Sequence, residues 1–124
     1  MLASNMAIPG NLALSNGIMS LGNFNLTVTG TITGGSATTY IQTNGAGTLQ
    51  RTVSGSVTFP VGNSSYNPVI LNNSGTSDIF SVRVEDQVLA NGTSGNAITS
   101  RCVNRTWFVT ESMAGGSNVN LTVQ

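Results

Sequence analysis

The chain has 124 residues and no net charge, and Gly, Ser, Thr and Asn account for 61 of its residues. Only 6% of the residues are charged, with four Arg, no Lys and no His, against about 25% in a typical soluble domain. Without His, catalytic triads, Cys–His dyads and imidazole metal sites are excluded, and without Lys, Schiff bases and Walker-type phosphate loops are excluded.

The first third of the chain predicts short strands connected by tight turns. Between Leu12 and Gly30, apolar pairs are separated by Asn-Gly and Gly-Asn, a pattern typical of one or two coils of a β-solenoid or of β-arches. These coils are too few to be stable alone, so we expect them to stack on a following sandwich or a preceding module. A Thr row (Thr27, Thr29, Thr31, Thr33) is interpreted as the solvent side of a strand.

The rest of the chain predicts further strands by alternation of apolar and polar residues. Pro60 predicts an edge strand or a bulge. In the clearest strand, Asp78–Val88, alternate residues from Phe80 to Val84 face inward, and in the last strand Val119, Leu121 and Val123 do so. The predicted strands are 38–43, 48–53, 56–61, 67–73, 78–88, 97–111 and 118–124.

We therefore predict an all-β fold in which β-solenoid- or β-arch-like strands precede a β-sandwich of the Ig-like or jelly-roll type. The boundaries are residues 1–47 and 48–124, and the two segments are expected to form one compact unit. The start of the chain has neither a basic n-region nor a long apolar h-region, so it is not a signal peptide. We therefore expect this sequence to be that of a mature, trimmed or excised chain.

The acidic residues do not form a recognisable catalytic or metal-binding motif. Glu85 and Asp86 are adjacent, and neighbours on a strand point to opposite faces, which disfavours a catalytic carboxylate pair. Asp78, Glu85, Asp86 and nearby Asn side chains supply oxygens of the kind that Ca²⁺ binds, but no DxDxDG-like cluster occurs. We expect no cofactor, with a loop-borne Ca²⁺ site as the minor alternative.

Arg105 and Trp107 are predicted to lie on the same side of a strand. Because an inward Arg needs a partner, we expect Arg105 to stack on Trp107 or to pair with Glu111, Asp86 or backbone carbonyls, as a structural Arg–Trp pair. The functional alternative is a carbohydrate-binding module, in which Trp107, Tyr40 and Tyr66 would provide the stacking platform. The single Cys102 is interpreted as a small core or semi-exposed thiol.

The N-terminal stretch Leu2–Leu14 is apolar, uncharged and outside the predicted sandwich. Such a segment can complete a neighbour's sheet by β-augmentation, and the edge strand with Pro60 or the strand 118–124 would accept it. The residues predicted to form this inter-subunit strand are Leu2, Met6, Ile8, Leu12 and Leu14.

From Arg51 onward, the chain contains LQRTV, VTFPVG, SSYNPVIL, FSVRV, VNRTWFVTE and GGSNVNLTVQ in this order. This order resembles a β-rich repeat or stalk module of very large secreted surface proteins of Bacteroidota, many of them adhesin-like cargo of type IX secretion. The resemblance implies an all-β architectural segment at the cell surface that is usually not an enzyme. It supplies no catalytic residues.

The predicted function is that of a non-catalytic structural or adhesive module of an extracellular surface protein or fibre. The expected partners are copies of the chain or neighbouring modules of the same protein, with surface glycans as the alternative. The sequence has no basic cluster that would indicate a nucleic-acid partner. It also has no apolar run that would predict membrane insertion.

Overall fold

The computed structural model describes residues 1–124 and contains strands, turns and loops but no helix, so the predicted all-β fold is confirmed. It follows that no helix is long and apolar enough to cross a membrane. The eleven strands are β1 (Met6–Ile8), β2 (Leu12–Leu14), β3 (Met19–Ser20), β4 (Leu26–Val28), β5 (Ile32–Gly34), β6 (Ile41–Gln42), β7 (Leu49–Phe59), β8 (Val61–Gly62), β9 (Val69–Glu85), β10 (Thr106–Glu111) and β11 (Val119–Val123).

The first half of the chain winds into three layers, residues 2–20, 21–42 and 43–62, which together we call the parallel stack. Strands of successive layers pair in parallel: β1 with β4 and β4 with β7, β2 with β5, and β3 with β6 and β6 with β8. The first and second layers are thus each a circuit of three short strands. Each circuit returns the chain to a position beside the strand it left about 20 residues earlier.

Apolar side chains at equivalent positions of the layers form columns inside the parallel stack. One column consists of Met6, Leu26 and Leu49, which are aligned by the parallel register. Met6 in the first layer is 43% exposed, whereas Leu26 and Leu49 are fully buried. Burial therefore depends on having a neighbour on both sides, which for Leu26 is a layer on each side and for Leu49 is the second layer and β9.

Asparagine side chains connect the turns of the parallel stack. Asn5 Oδ1 accepts from the Asn25 N–H at 2.9 Å, and Asn25 Oδ1 accepts from the Thr48 N–H at 3.0 Å. Asn11 Oδ1 accepts from the Thr31 N–H in the same way, at 2.9 Å. These bonds satisfy backbone donors at the turns, where the parallel strand pairing has ended.

The second half of the chain forms an antiparallel sheet built on β9. β7 pairs with one side of β9, and β10 and β11 pair with different parts of its other side. At its start β7 also pairs with β4. The antiparallel sheet, by which we mean β7, β9, β10 and β11, is therefore continuous with one side of the parallel stack.

Four predicted strands are in fact two. The predicted strands 48–53 and 56–61 merge into β7, which ends at Phe59 before Pro60, and 67–73 and 78–88 merge into β9, which spans Val69–Glu85. The predicted interruptions are present as a register shift between Val53 and Gly55, which we call the corner. Gly55 has a φ of +79° there, a conformation that glycine adopts without steric cost.

The corner changes which residues of β9 face the core. Before the corner the buried positions are odd-numbered, as at Val69 and Leu71, and after it they are even-numbered, as at Val82 and Val84. This change is compatible with one strand because residues 74–77 are extra residues relative to β7. Ser74 and Gly75, turn-favouring residue types that close the predicted strand 67–73, therefore mark an irregularity within a strand and not a loop.

Asn73 forms hydrogen bonds to the segments around the corner, and it is only 3% exposed. Its Nδ2 donates to the carbonyl oxygens of Val53, at 3.2 Å, and Thr76, at 2.8 Å. Its Oδ1 accepts from the N–H groups of Gly75, at 2.9 Å, and Asn118, at 3.0 Å. One amide thus connects β7, the irregular part of β9 and the residue that precedes β11.

Three other strand predictions need correction, and two of them concern strand length. The predicted strand 97–111 is a strand only from Thr106, because residues 90–104 form an exposed loop with no neighbouring strand. The predicted strand 38–43 is reduced to Ile41–Gln42, because the Ser36–Thr39 turn occupies its start.

The last strand has the predicted side facing the core but is not covered there. In register, Leu121 and Val123 lie beside the buried Leu71 and Val69, yet they are 53% and 39% exposed. Only Val119 packs against the core. The three residues therefore lie on the predicted face, but Leu121 and Val123 are not covered because the core ends beneath β9.

Two buried polar residues join the parallel stack to the antiparallel sheet. Thr43 is fully buried, and its hydroxyl accepts from the Val84 N–H at 2.9 Å. Arg51 is 9% exposed and donates to the carbonyl oxygens of Thr58, at 2.7 Å, and Gly30, at 2.9 Å. Burial lowers the pKa of Arg51, and no carboxylate forms an ion pair with it.

Candidate functional site

The first layer has one side that no other part of the chain covers, which we call the first-layer edge. Of the residues predicted to form an inter-subunit strand, Leu2 is buried in the core, Ile8, Leu12 and Leu14 are half-buried, and Met6 is partly exposed. Leu2 precedes β1, and the other four lie in β1 and β2, which pair with β4 and β5 of the same chain. The opposite side of β1 and β2 has no strand partner.

Hydrogen-bond parity identifies the backbone groups that face outward at the first-layer edge. Met6 N–H donates to Asn25 O at 2.9 Å, and Ile8 O accepts from Thr29 N–H at 3.1 Å, so Met6 and Ile8 point toward the second layer. In a parallel pair the alternate residues point the other way. Ala7 therefore presents its N–H and C=O outward.

The same parity applies to the second strand of the first layer. Leu12 N–H donates to Thr31 O at 2.9 Å, so Ala13 is the residue of β2 that points outward. Asn5 and Asn11 precede these strands and use their side-chain oxygens to bind the second layer. An added layer would meet an arrangement like the one that the second layer presents to the first.

The first-layer edge is uncharged. No Asp, Glu, Lys or Arg occurs among residues 1–50, and all eight charged residues lie between Arg51 and Glu111. Exposed sheet edges are commonly protected by charged side chains or Pro. Pro9, which lacks an N–H, directly follows β1, and β2 has neither protection.

A second candidate site is an open polar groove of about 310 Å³ between the parallel stack and the end of β9. Its carboxylates are already occupied: Glu85 pairs with Arg83, and Asp86 pairs with Arg105 and accepts from the Ser64 N–H at 3.0 Å. No group of three or more His, Cys, Asp or Glu side chains is placed to hold a metal ion. The residues lining the groove are Thr43, Asn44, Gly45, Asn63, Glu85, Asp86 and Gln87.

The charges beside the groove are mutually compensated. Burial of Glu85 raises its pKa, but hydrogen bonds from Gln87 and Arg83 and the positive charge of Arg83 outweigh this, and the pKa is lowered overall. Arg83 also lies over the Phe108 ring, 3.8 Å from its centroid. The carboxylate of Glu85 is therefore held ionised as part of an ion pair and is not set up as a general acid.

The structure pairs Arg105 with Asp86, one of the alternatives that the sequence leaves open. Trp107 is half-buried beside the core, and its Nε1 donates to Asn67 O at 3.4 Å. The cation–π contacts in the structure involve Arg51 with Phe59 and Arg83 with Phe108, and not Arg105 with Trp107. Arg105 and Trp107 are therefore fixed by separate partners.

The three residues considered as a carbohydrate platform do not form an exposed row. Tyr40 is 2% exposed, and Tyr66 packs against it with ring centroids 6.0 Å apart and planes tilted by 41°. Burial raises the pKa of Tyr66. Trp107 is itself half-buried, so no pair of these rings lies flat and open to a sugar.

Two further predicted residues, Cys102 and Asp78, lie in different places, in the loop before β10 and beside the residues that follow β10. Cys102 is an exposed free thiol, not a core residue, and its Sγ lies 3.3 Å from the Ile98 carbonyl oxygen. Asp78 accepts from the Ser112 hydroxyl at 2.5 Å and from the Met113 N–H at 2.9 Å. These hydrogen bonds lower the pKa of Asp78, the bond from Ser112 most strongly.

Searches of protein-family models, characterised proteins and solved structures found no significant match for the chain. The resemblance to Bacteroidota surface modules therefore stays a prediction from the sequence motifs.

The outward-facing alanines were not identified from the sequence. Ala7 and Ala13 lie between the apolar residues that the sequence singled out, and their importance depends on backbone direction. A signal was present in the recurrence of Asn before a strand, at Asn5 and Asn25, separated by one layer of 20 residues. Such a recurrence is the sequence pattern of stacked layers.

Proposed function

We propose that the protein is a non-catalytic structural module of an extracellular surface protein or fibre, and that it associates with further copies through the first-layer edge. In this proposal the parallel stack is a short β-solenoid and the antiparallel sheet is the part that ends it. Copies add at the first layer by pairing backbone groups across β1 and β2. The motif order from Arg51 onward supports the extracellular setting.

The observation that carries the proposal is the incomplete first layer. The column of Met6, Leu26 and Leu49 is exposed only at Met6. An added layer would therefore bury apolar surface, and each Å² buried contributes about 25 cal/mol of stabilising free energy. It would also satisfy the outward N–H and C=O groups of Ala7 and Ala13. The edge carries no charge that would oppose its own copy.

The other end of the parallel stack is already closed. In the third layer, Arg51 occupies the position equivalent to Val28 of the second layer, and its guanidinium donates to carbonyl groups. Thr43 binds the end of β9. The first layer is therefore the one end of the stack that is open to a second copy. A mechanical role follows from the ladders of backbone hydrogen bonds, which resist separation of strands along their length.

The proposal is tested by replacing Ala7 with Pro. Ala7→Pro removes the outward N–H without removing a bond to β4, because that N–H points away from the second layer. Ala37→Pro, in the exposed Ser36–Thr39 turn, is the matched control. The untagged wild type and both variants are compared by light scattering and negative-stain electron microscopy over a concentration series.

We expect the wild type and Ala37→Pro to associate and Ala7→Pro to associate at least tenfold more weakly. Circular dichroism and urea unfolding would establish that all three fold equally. A wild type that stays monomeric at about 12.7 kDa across the series would contradict the proposal. Equal association of Ala7→Pro and the wild type would contradict it as well.

A further inference from the structure

The strand β11 presents a second free edge, at the opposite side of the molecule's sheet from β7. Asn118 O accepts from Ser74 N–H at 2.9 Å, and Gln124 N–H donates to Pro68 O at 3.3 Å. In an antiparallel pair, residues two apart point to the same side, so the even-numbered residues from 118 to 124 bond to β9. The odd-numbered residues Val119, Leu121 and Val123 therefore direct their N–H and C=O groups away from the molecule.

The same three residues carry the exposed apolar surface of β11. Their side chains lie on the core side of the sheet, in register with Asn73, Leu71 and Val69 of β9. Leu121 is 53% and Val123 is 39% exposed because the core does not extend beneath them. Free backbone groups and uncovered apolar side chains thus coincide on one short strand.

The sequence of β11 is complementary to itself in the antiparallel direction. When two copies are aligned about Leu121, Leu121 faces Leu121, and Val119 faces Val123 of the other copy. Asn120 then faces Thr122, so polar residues oppose polar residues on the other side of the sheet. The three odd-numbered residues of one copy meet those of the other, which is the parity that backbone pairing requires.

We propose that β11 pairs antiparallel with β11 of a second copy, about a two-fold axis at Leu121. The pairing joins the two antiparallel sheets into one continuous sheet and covers Leu121 and Val123. It does not depend on the first-layer edge, which lies on different strands. The interface is isologous, so it closes with two copies.

The occupant is a second copy of β11 and not β1, because β1 is a poorer partner. β1 offers outward groups at Ala7 and is then followed by Pro9, which lacks an N–H, whereas β11 offers three residues with both groups. No Asp, Glu, Lys, Arg or Pro occurs between Gly115 and Gln124, so like side-chain charges do not oppose each other at the axis. A five-residue edge buries little area, so the association is expected to be weak.

Disulfide trapping tests the proposed register. All variants carry Cys102→Ser, to remove the native thiol, and Ala7→Pro, to remove association through the first-layer edge. Leu121→Cys places two thiols on residues whose Cα atoms are expected to be about 5.5 Å apart in a hydrogen-bonded pair, which a disulfide can span. Val119→Cys is the matched control, because its copies would be four positions apart, about 13 Å.

Under mild oxidation we expect Leu121→Cys to form covalent dimers at least tenfold faster than Val119→Cys. A mixture of Val119→Cys and Val123→Cys should cross-link faster than either variant alone, because these positions face each other. Equal rates for Leu121→Cys and Val119→Cys would overturn the proposal. Preferential cross-linking of Val119→Cys to itself would also overturn it.

Sedimentation velocity on protein without introduced cysteines provides an independent measurement. In the Ala7→Pro background we expect a reversible dimer whose association is weakened at least fivefold by Leu121→Pro, which removes an N–H that does not bond to β9. Thr122→Lys, on the opposite face of β11, is the control for a change on this strand. A monomer at all concentrations in the Ala7→Pro background would overturn the proposal, while leaving the first-layer proposal to its own test.

Discussion

The parallel stack and the antiparallel sheet satisfy their backbone groups by different means. In the parallel stack, a strand pairs with the strand about 20 residues away, and Asn side chains bind the N–H groups at the turns. In the antiparallel sheet, a single long strand, β9, pairs with β7, β10 and β11. The stack therefore repeats a local arrangement, whereas the sheet depends on one central strand.

Charge also separates the first two layers of the parallel stack from the rest of the chain. All eight charged residues lie from Arg51 onward, and none lies in the first 50 residues. Four of them form the ion pairs Arg83–Glu85 and Arg105–Asp86 near the end of β9. The end of β9 is therefore stabilised by ion pairs within the chain, whereas the first layer remains open to a like surface.

The parallel stack contacts the antiparallel sheet at a position where a polar residue stands in an otherwise apolar column. Thr43 follows Leu2 and Leu21 at equivalent positions, since the N–H group of each binds the carbonyl oxygen of the last residue of its own layer. At that position the third layer requires a hydroxyl because Val84 of β9 supplies a backbone N–H and C=O there. The polar substitution thus marks the layer at which the stack stops.

The largest expected effect contrasts two members of one apolar column. Leu26→Ala should lower the free energy of unfolding by about 3 kcal/mol, because Leu26 is fully buried. Met6→Ala should lower it by less than about 1 kcal/mol in dilute solution, because Met6 is 43% exposed. Urea unfolding followed by circular dichroism measures both values.

The stability costs of Met6→Ala and Leu26→Ala should respond differently to an increase in protein concentration. If a second copy covers the first layer, the cost of Met6→Ala should increase with concentration, because stability is then linked to association. The cost of Leu26→Ala should not show the same increase. Equal costs for the two variants in dilute solution would contradict the view that the first layer is incomplete.

The next largest effect concerns the corner of the antiparallel sheet. Asn73→Asp keeps the acceptor for Gly75 and Asn118 but loses the donor to Val53 and Thr76. We expect a loss of about 2–3 kcal/mol at neutral pH, because two buried carbonyl groups then face a carboxylate. Asn72→Asp, at the exposed neighbouring residue, should change stability by less than about 0.5 kcal/mol.

Acidification distinguishes this explanation from a general loss of packing. Once protonated, the carboxyl group introduced by Asn73→Asp could donate one hydrogen bond, so the difference between this variant and the wild type should decrease as the pH is lowered. A difference that is constant with pH, or equal costs for the substitutions at positions 72 and 73, would contradict the assigned role of Asn73.

Much of the strand content could be predicted from alternation, but its connection could not. The alternation of Phe80, Val82 and Val84 correctly indicates buried positions, because period-two patterns report one buried face. The Ser74–Gly75 signal predicts a loop where the structure has a bulge, because turn residues and bulge residues have the same conformational preferences. Only the pairing with β7 shows that β9 continues through it.

The first-layer edge was predictable in its location but not in its chemistry. The apolar, uncharged character of residues 2–14 pointed to that segment, and the spacing of the Asn-Gly turns pointed to stacked strands. The residues that face outward, Ala7 and Ala13, follow only from the direction of the hydrogen bonds to the second layer. Similarly, the exposure of Leu121 could not be predicted, because alternation identifies a face and not whether that face is covered.

The smallest expected effect is a pH dependence in the antiparallel sheet that the uncharged part of the parallel stack lacks. Hydrogen bonds from Ser112, Met113 and Ile79 hold the pKa of Asp78 below its ordinary value of 3.8. The stability contributed by Asp78 is therefore fully present above that value and is lost as the pH falls through the lower, folded-state pKa. Asp78→Asn should be less stable than the wild type at about pH 6, and this difference should diminish below pH 3.8.

Glu111→Gln removes one negative charge from the same end of the sheet and serves as the control for net charge. Urea unfolding between about pH 2.5 and about pH 6 should show a steeper loss for the wild type than for Asp78→Asn, since only the wild type must protonate this carboxylate. Exchange of the Met113 amide, which donates to Asp78 at 2.9 Å, should accelerate in Asp78→Asn. Unchanged exchange together with parallel pH profiles would mean that Asp78 does not hold the turn between β10 and β11, and β11 would then be positioned by Asn73 and β9 alone.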